Sequence, residues 1–111
     1  MRKLPETLLE YERHEVKAKQ GGGVLAFEVW GMASKRETQV TRYSLAYINH
    51  ALFQGDNGRV LGFDNAHGYH HRHFMGRVEA VRFVSYEATL ERFQREWVEL
   101  VDRVRRTGSC E

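Results

Sequence analysis

Residues 62–83 read GFDNAHGYHHRHFMGRVEAVRF and carry four of the six histidines of the chain, His67, His70, His71 and His73. Asp64-Asn65 is a turn-forming pair, and Gly68 and Gly76 add further loop signals. Apolar runs flank the segment on both sides. The reading is therefore a strand, a polar histidine loop and a second strand. Loops held by a rigid scaffold are where binding and chemistry concentrate.

Working outward, residues 77–83 (RVEAVRF) form the short strand that follows the loop. Ser85 is placed to cap a helix, with Glu87 near its positive end. Tyr86, Leu90, Phe93, Trp97, Leu100 and Val104 then recur at steps of four and three, which makes one apolar helix face. Glu91, Arg92, Arg95, Glu96 and Glu99 form a solvated face, and the basic tail from Arg103 frays. Before the loop, residues 59–63 (RVLGF) return from a turn centred on Asn57-Gly58. Residues 41–53 form a long strand with Tyr43, Leu45 and Tyr47 on one face. Residues 24–32 (VLAFEVWGM) form the clearest strand, rich in β-branched and aromatic residues. Its Leu25, Phe27 and Val29 point to the core, and Trp30 and Trp97 are read as core. The triple glycine 21–23 is a hairpin turn, since no Lys-Ser or Lys-Thr follows it as a phosphate loop requires. Residues 7–19 alternate loosely, and strand and short helix both remain open.

These elements predict an α+β fold: an antiparallel sheet of four or five strands, then one long C-terminal helix packed on one face. A chain of 111 residues suits a single domain, residues 1–111. With 29% charged and 41% hydrophobic residues, it reads as globular and not disordered. No apolar run approaches the ~20 residues that span a membrane, and the first residues lack the apolar core of a secretory signal. The one cysteine, Cys110, excludes a disulfide framework and fits a reducing cytoplasm. A net charge of +2 does not mark a dedicated nucleic-acid binder.

The histidine segment admits two chemistries. In the first, His71 and His73, two apart, project to one side and work as acid and base on RNA, with Arg72, Arg77 or a protonated histidine over the phosphate and His70 also in the catalytic set. Asp64 completes the catalytic set, and Asn65, His67 and Tyr69 contact substrate, Tyr69 by stacking on a base. No cofactor is needed. In the second, His67, His70, His71 and His73 supply ligands for a divalent transition metal, with Asp64 as an oxygen donor. Metal-ligand patterns on small scaffolds usually draw on two segments, so this reading is not the favoured one. The plain alternative for any single histidine is a side chain that satisfies loop carbonyls, and Asp64-Asn65 reads equally well as an ordinary turn.

The order Tyr43-Ser44-Leu45-Ala46-Tyr47, then Arg59 to Asn65, then the histidine segment, a short strand and a helix with Phe93 resembles the TumE family of small bacterial proteins. Members show a Y-D-N or F-D-N strand end, an H-x-H near a glycine and an F-x-S leading into the last helix. The counterparts are Phe63-Asp64-Asn65, His71-Arg72-His73 with Gly76, and Phe83-Val84-Ser85. The resemblance covers residues 41–97. It implies a toxin of a two-gene toxin–antitoxin pair, neutralised by an antitoxin with a DNA-binding domain. RNA, the commonest target of small toxins, follows by analogy alone. His67, His70 and the glycine-rich first turn depart from the family pattern. The alternative from another class is a non-catalytic module that binds nucleic acid or protein.

A single helix covers one sheet face. A second face carrying Val24, Trp30, Tyr43 and Tyr47 is apolar enough to predict a homo-oligomer or a partner seated upon it.

Overall fold

Strand-forming residues dominate the first two thirds of the chain and helix-forming residues the last, and a computed structural model, which describes residues 5–108, follows that division. Six strands run in the order β1 (Thr7–Glu15), β2 (Val24–Ala33), β3 (Thr38–Ile48), β4 (Arg59–Asp64), β5 (His71–Phe74) and β6 (Arg77–Ala80), followed by helix α1 (Tyr86–Thr107). All neighbours are antiparallel, and the sheet is a meander in chain order. Cys110 lies outside the described residues.

The sheet has six strands, not four or five, because the histidine segment is itself partly a strand. β5 consists of His71, Arg72, His73 and Phe74, a run too polar to read as a strand from composition. Residues 7–15 are a strand, with no helix there. β3 begins and ends earlier than residues 41–53. Asn49 accepts from the Ala51 backbone N–H through Oδ1, and its carbonyl accepts from Leu52 and Phe53, so the apolar residues after it curl into a turn. β6 stops at Ala80, and α1 continues through the basic residues to Thr107, where Gly108 closes it in the left-handed region.

Ser85 caps α1 as expected: its Oγ accepts from the Ala88 N–H at 3.0 Å. The helix lays Phe93, Leu100 and Val101 on the sheet against Tyr43, Leu45, Tyr47, Leu61 and Phe63. Phe93 meets Phe27 and Phe63 edge-on, with ring centres 5.7 and 6.3 Å apart. Gly23 lets the first hairpin close under this core; a side chain there would lie 2.5 Å from the Ile48 carbonyl.

Tyr43 and Tyr47 therefore belong to the helix face, with Tyr47 fully buried beside Trp97. The expectation that they lie on the second face is corrected by this packing. Trp30 is not core: it is half-buried on the helix-free face, beneath the Arg42 guanidinium at 4.7 Å. The helix-free face is thus more polar than the sequence suggested, with Tyr11, Arg13, Glu28, Arg42, Ser44 and Asp64 among its residues. Among the described residues, no helix is long and apolar enough to cross a membrane.

Candidate functional site

The alternation of β5 sorts its side chains. His71 pairs across the ladder with Asp64, and His73 with Gly62, so both histidines share a face with Asp64. Arg72 and Phe74 take the other face. There Arg72 Nη2 lies 2.6 Å from Glu96 of α1, and Nη1 lies 3.3 Å from Glu79.

Arg59 reaches the histidine face through an irregularity. Tyr47 pairs with Leu61 but Ile48 with Arg59, which leaves Val60 as an unpaired bulge residue. A bulge shifts the alternation by one and re-aims the neighbouring side chain. Arg59 then crosses its own strand over Gly62. A Cβ at Gly62 would lie 2.7 Å from Arg59 Cδ, so only glycine leaves the path open.

The result is a tightly connected group. Asp64 Oδ1 lies 2.8 Å from His71 Nε2, and Asp64 Oδ2 lies 3.0 Å from His73 Nε2. Asp64 Oδ1 also accepts from the Ala66 N–H, and Arg59 Nη1 lies 3.4 Å from Oδ2. Arg59 Nη2 approaches His73 Nδ1 at 3.0 Å, while its Nε and Nη2 hold Asp56 at 2.8 and 3.1 Å. His71 Nδ1 is 3.0 Å from the Tyr69 carbonyl. His71, Asp64 and His73 are only 3, 7 and 8% exposed. Substituting either histidine therefore disturbs a buried cluster and not merely the polar loop read from the sequence.

Two of these contacts fix tautomers. A carbonyl only accepts, so His71 Nδ1 carries a hydrogen; a guanidinium only donates, so His73 Nδ1 is an acceptor. Burial pushes the His73 pKa below its ordinary value, and the Arg59 charge acts in the same sense, against the opposing pull of Asp64. His73 Nε2 is buried and, despite its nearness to Asp64, has no hydrogen-bond partner among the described residues.

The other sequence candidates stand apart from this group. His70 is turned to the helix side, 2.9 Å from the Tyr43 hydroxyl and stacked on Phe83 at 3.9 Å. His67 is exposed at a short turn (Ala66–Gly68) in a left-handed conformation. Asn65 ties β4 to β3, accepting from the Tyr43 N–H and donating to the Thr41 carbonyl. Arg77 is exposed on the outermost strand, paired with Phe74 on the helix side. Tyr69 is exposed, and its ring lies 4.6 Å from His71. Of the proposed set, the fold brings together Asp64, His71, His73 and Tyr69. Arg59 and Asp56 were not foreseen. Gly62, a glycine inside a strand, was the available signal, since such a glycine often marks close approach.

Two grooves on the helix-free face flank the cluster. One, of about 360 Å³, runs from Tyr11 and Arg13 to Asp56 and Arg59. The other, of about 240 Å³, lies between Trp30, Arg42, Asp64 and Asn65.

Against known proteins, a family described as Toxin TumE matches residues 10–102. No curated protein and no solved structure matches the chain.

Proposed function

The chain belongs to the TumE toxin family, and on that premise we propose that it is the toxin of a toxin–antitoxin pair and acts on RNA at the helix-free face of its sheet. The observation that carries this reading is the group of Arg59, Asp64, His71 and His73 between two grooves of that face. Cleavage of RNA by its own 2′-hydroxyl forms the 2′-O–P bond and breaks the P–O5′ bond; it needs a base for the hydroxyl proton, a cation for the phosphate charge and a proton for the departing 5′-oxygen, which water supplies in this reading. We assign the cation to Arg59 and the base to His73 through Nδ1. In the free protein the Arg59 guanidinium covers that nitrogen. A phosphodiester that draws the guanidinium away exposes it. His73 suits the role because burial and Arg59 favour its neutral form. Asp64, whose carboxylate lies 3.0 Å from His73 Nε2, steadies the positive charge that His73 acquires with the proton. The exposed Tyr69 and Tyr11 offer ring faces to bases. The neutralising partner in this reading is an antitoxin with a DNA-binding domain.

The test is induced expression in bacteria, alone and together with the neighbouring gene. Growth arrest with fragmented RNA, relieved by the neighbour, is the expected result. Arg59→Lys keeps the charge but loses the two-pronged guanidinium, and His73→Gln loses the base. Both variants, checked for fold by circular dichroism, are expected to stop fragmentation. Growth arrest with intact RNA would move the protein to the class of non-catalytic binding modules. Undiminished fragmentation in both variants would remove the site.

A further inference from the structure

We infer that Asp64, His71 and His73 bind one divalent transition-metal ion of the zinc class, with Asp56 as the outer partner of His73. Three observations point there. First, the Tyr69 carbonyl fixes the hydrogen of His71 on Nδ1, so a neutral His71 presents a lone pair at Nε2. That lone pair faces Asp64 Oδ1 at 2.8 Å. Two acceptors at this distance require a proton or a cation shared between them. Second, His73 Nε2 is buried, faces the same carboxylate at 3.0 Å and makes no hydrogen bond among the described residues. Buried polar atoms without partners are rare and call for an explanation such as an ion. Third, the ligand atoms of all three residues lie within 4.8 Å of one another. Ligands about 2.0–2.2 Å from a tetrahedral zinc stand about 3.3–3.5 Å apart, which the group reaches by small movements.

The outer contacts fit as well. Metal-bound histidines typically donate their other N–H to a carbonyl or a carboxylate. His71 already has the Tyr69 carbonyl. When an ion takes His73 Nε2, the hydrogen of that ring moves to Nδ1, and Arg59 can no longer donate there. Asp56 Oδ2 stands 3.8 Å from Nδ1 and can accept instead. Three protein ligands leave a fourth position for water, as in zinc sites that do chemistry. His67 and His70 are outside the set.

This inference goes beyond the RNA reading and stands without it. The two are also distinguishable, since an ion on His73 protonates the very nitrogen assigned as base and would inhibit RNA cleavage. The test uses the full chain made without a histidine tag and stripped with chelator. Co²⁺ is added as a spectroscopic probe and then displaced by Zn²⁺. We expect about one ion per chain, with the intense visible absorption of low-symmetry four-coordinate cobalt. Nitrogen chemical shifts of the histidine rings should show ligation at Nε2 of His71 and His73. Asp64→Asn and His71→Gln should each weaken binding by about 10-fold or more, and His67→Gln should leave it unchanged. Should either variant fail to fold, the ring nitrogen shifts of the unsubstituted protein decide alone. Less than about a tenth of an equivalent bound, or ligation through His67 or His70, overturns the inference.

Discussion

The two faces of β4 and β5 differ in kind although they share a backbone. On the helix side, Leu61, Phe63 and Phe74 pack with Phe93 and Leu100. On the other side, one residue along, Asp64, His71 and His73 are almost as deeply buried, with the Asp64 carboxylate 2.8 and 3.0 Å from the two rings. A strand with a period of two can carry a packing role and a chemical role at once without either intruding on the other. Arg59 crosses Gly62 to roof the polar group, much as α1 roofs the apolar one.

The sharpest way to break that division is from the helix side. Phe93 is 1% exposed and meets two phenylalanine rings edge-on. Phe93→Ala removes the centre of the helix–sheet contact and is expected to cost about 3–5 kcal/mol, read by urea unfolding. A cost below about 1 kcal/mol would mean that the helix is not held by this stripe.

A smaller change tests the polar side. Gly62→Ala puts a methyl group 2.7 Å from Arg59 Cδ and 3.2 Å from the Leu45 carbonyl. The arginine is the flexible partner and must leave, so its contacts to Asp64 and His73 go with it. We expect a stability loss of about 1–2 kcal/mol, as for a modest overpacking, and a much larger loss of toxicity. Toxicity retained at full strength in a folded Gly62→Ala protein would separate Arg59 from function.

How legible each face was follows from the kind of signal it uses. The helix stripe and its Ser85 cap were readable because periodicity and capping are local in sequence. The core side of β2 was readable for the same reason, through Leu25, Phe27 and Val29. β5 was not, since His-Arg-His-Phe has no apolar alternation and is a strand because Leu61 to Asp64 on one side and Arg77 to Ala80 on the other offer it ladders. The pairing of His71 with His73 followed from their spacing. The entry of Arg59 depends on a bulge at Val60, which is a property of register and not of any neighbouring residue. Arg72 sat between the two histidines in sequence, and the same alternation that joins them sends it to Glu96.

The smallest expected effect sharpens the comparison from the opposite direction, because the helix side has its own polar flaw. The Tyr86 hydroxyl is buried there without a hydrogen-bond partner among the described residues. Its pKa is pushed up to about 12 by burial, with the charges of Glu10, Glu87 and Glu12 adding to the shift. Tyr86→Phe keeps the ring against Tyr43, 5.8 Å away, and removes only the unsatisfied group. Its expected effect near neutral pH is a gain of up to about 1 kcal/mol. The pH dependence has a definite sign. A pKa raised in the folded state means that the unfolded chain loses the proton first, so stability is intact below the ordinary value of 10.0 and declines as pH rises toward about 12. Tyr43, also pushed up to about 12 by burial, contributes a decline in the same window. The variant should therefore lose less stability than the unsubstituted protein between pH 9 and 11, with the Tyr43 share remaining. Urea unfolding at both pH values measures this. A loss of more than about 1 kcal/mol at neutral pH would mean that the hydroxyl has a partner in solution, and that the helix face uses directed polar contacts as the histidine face does.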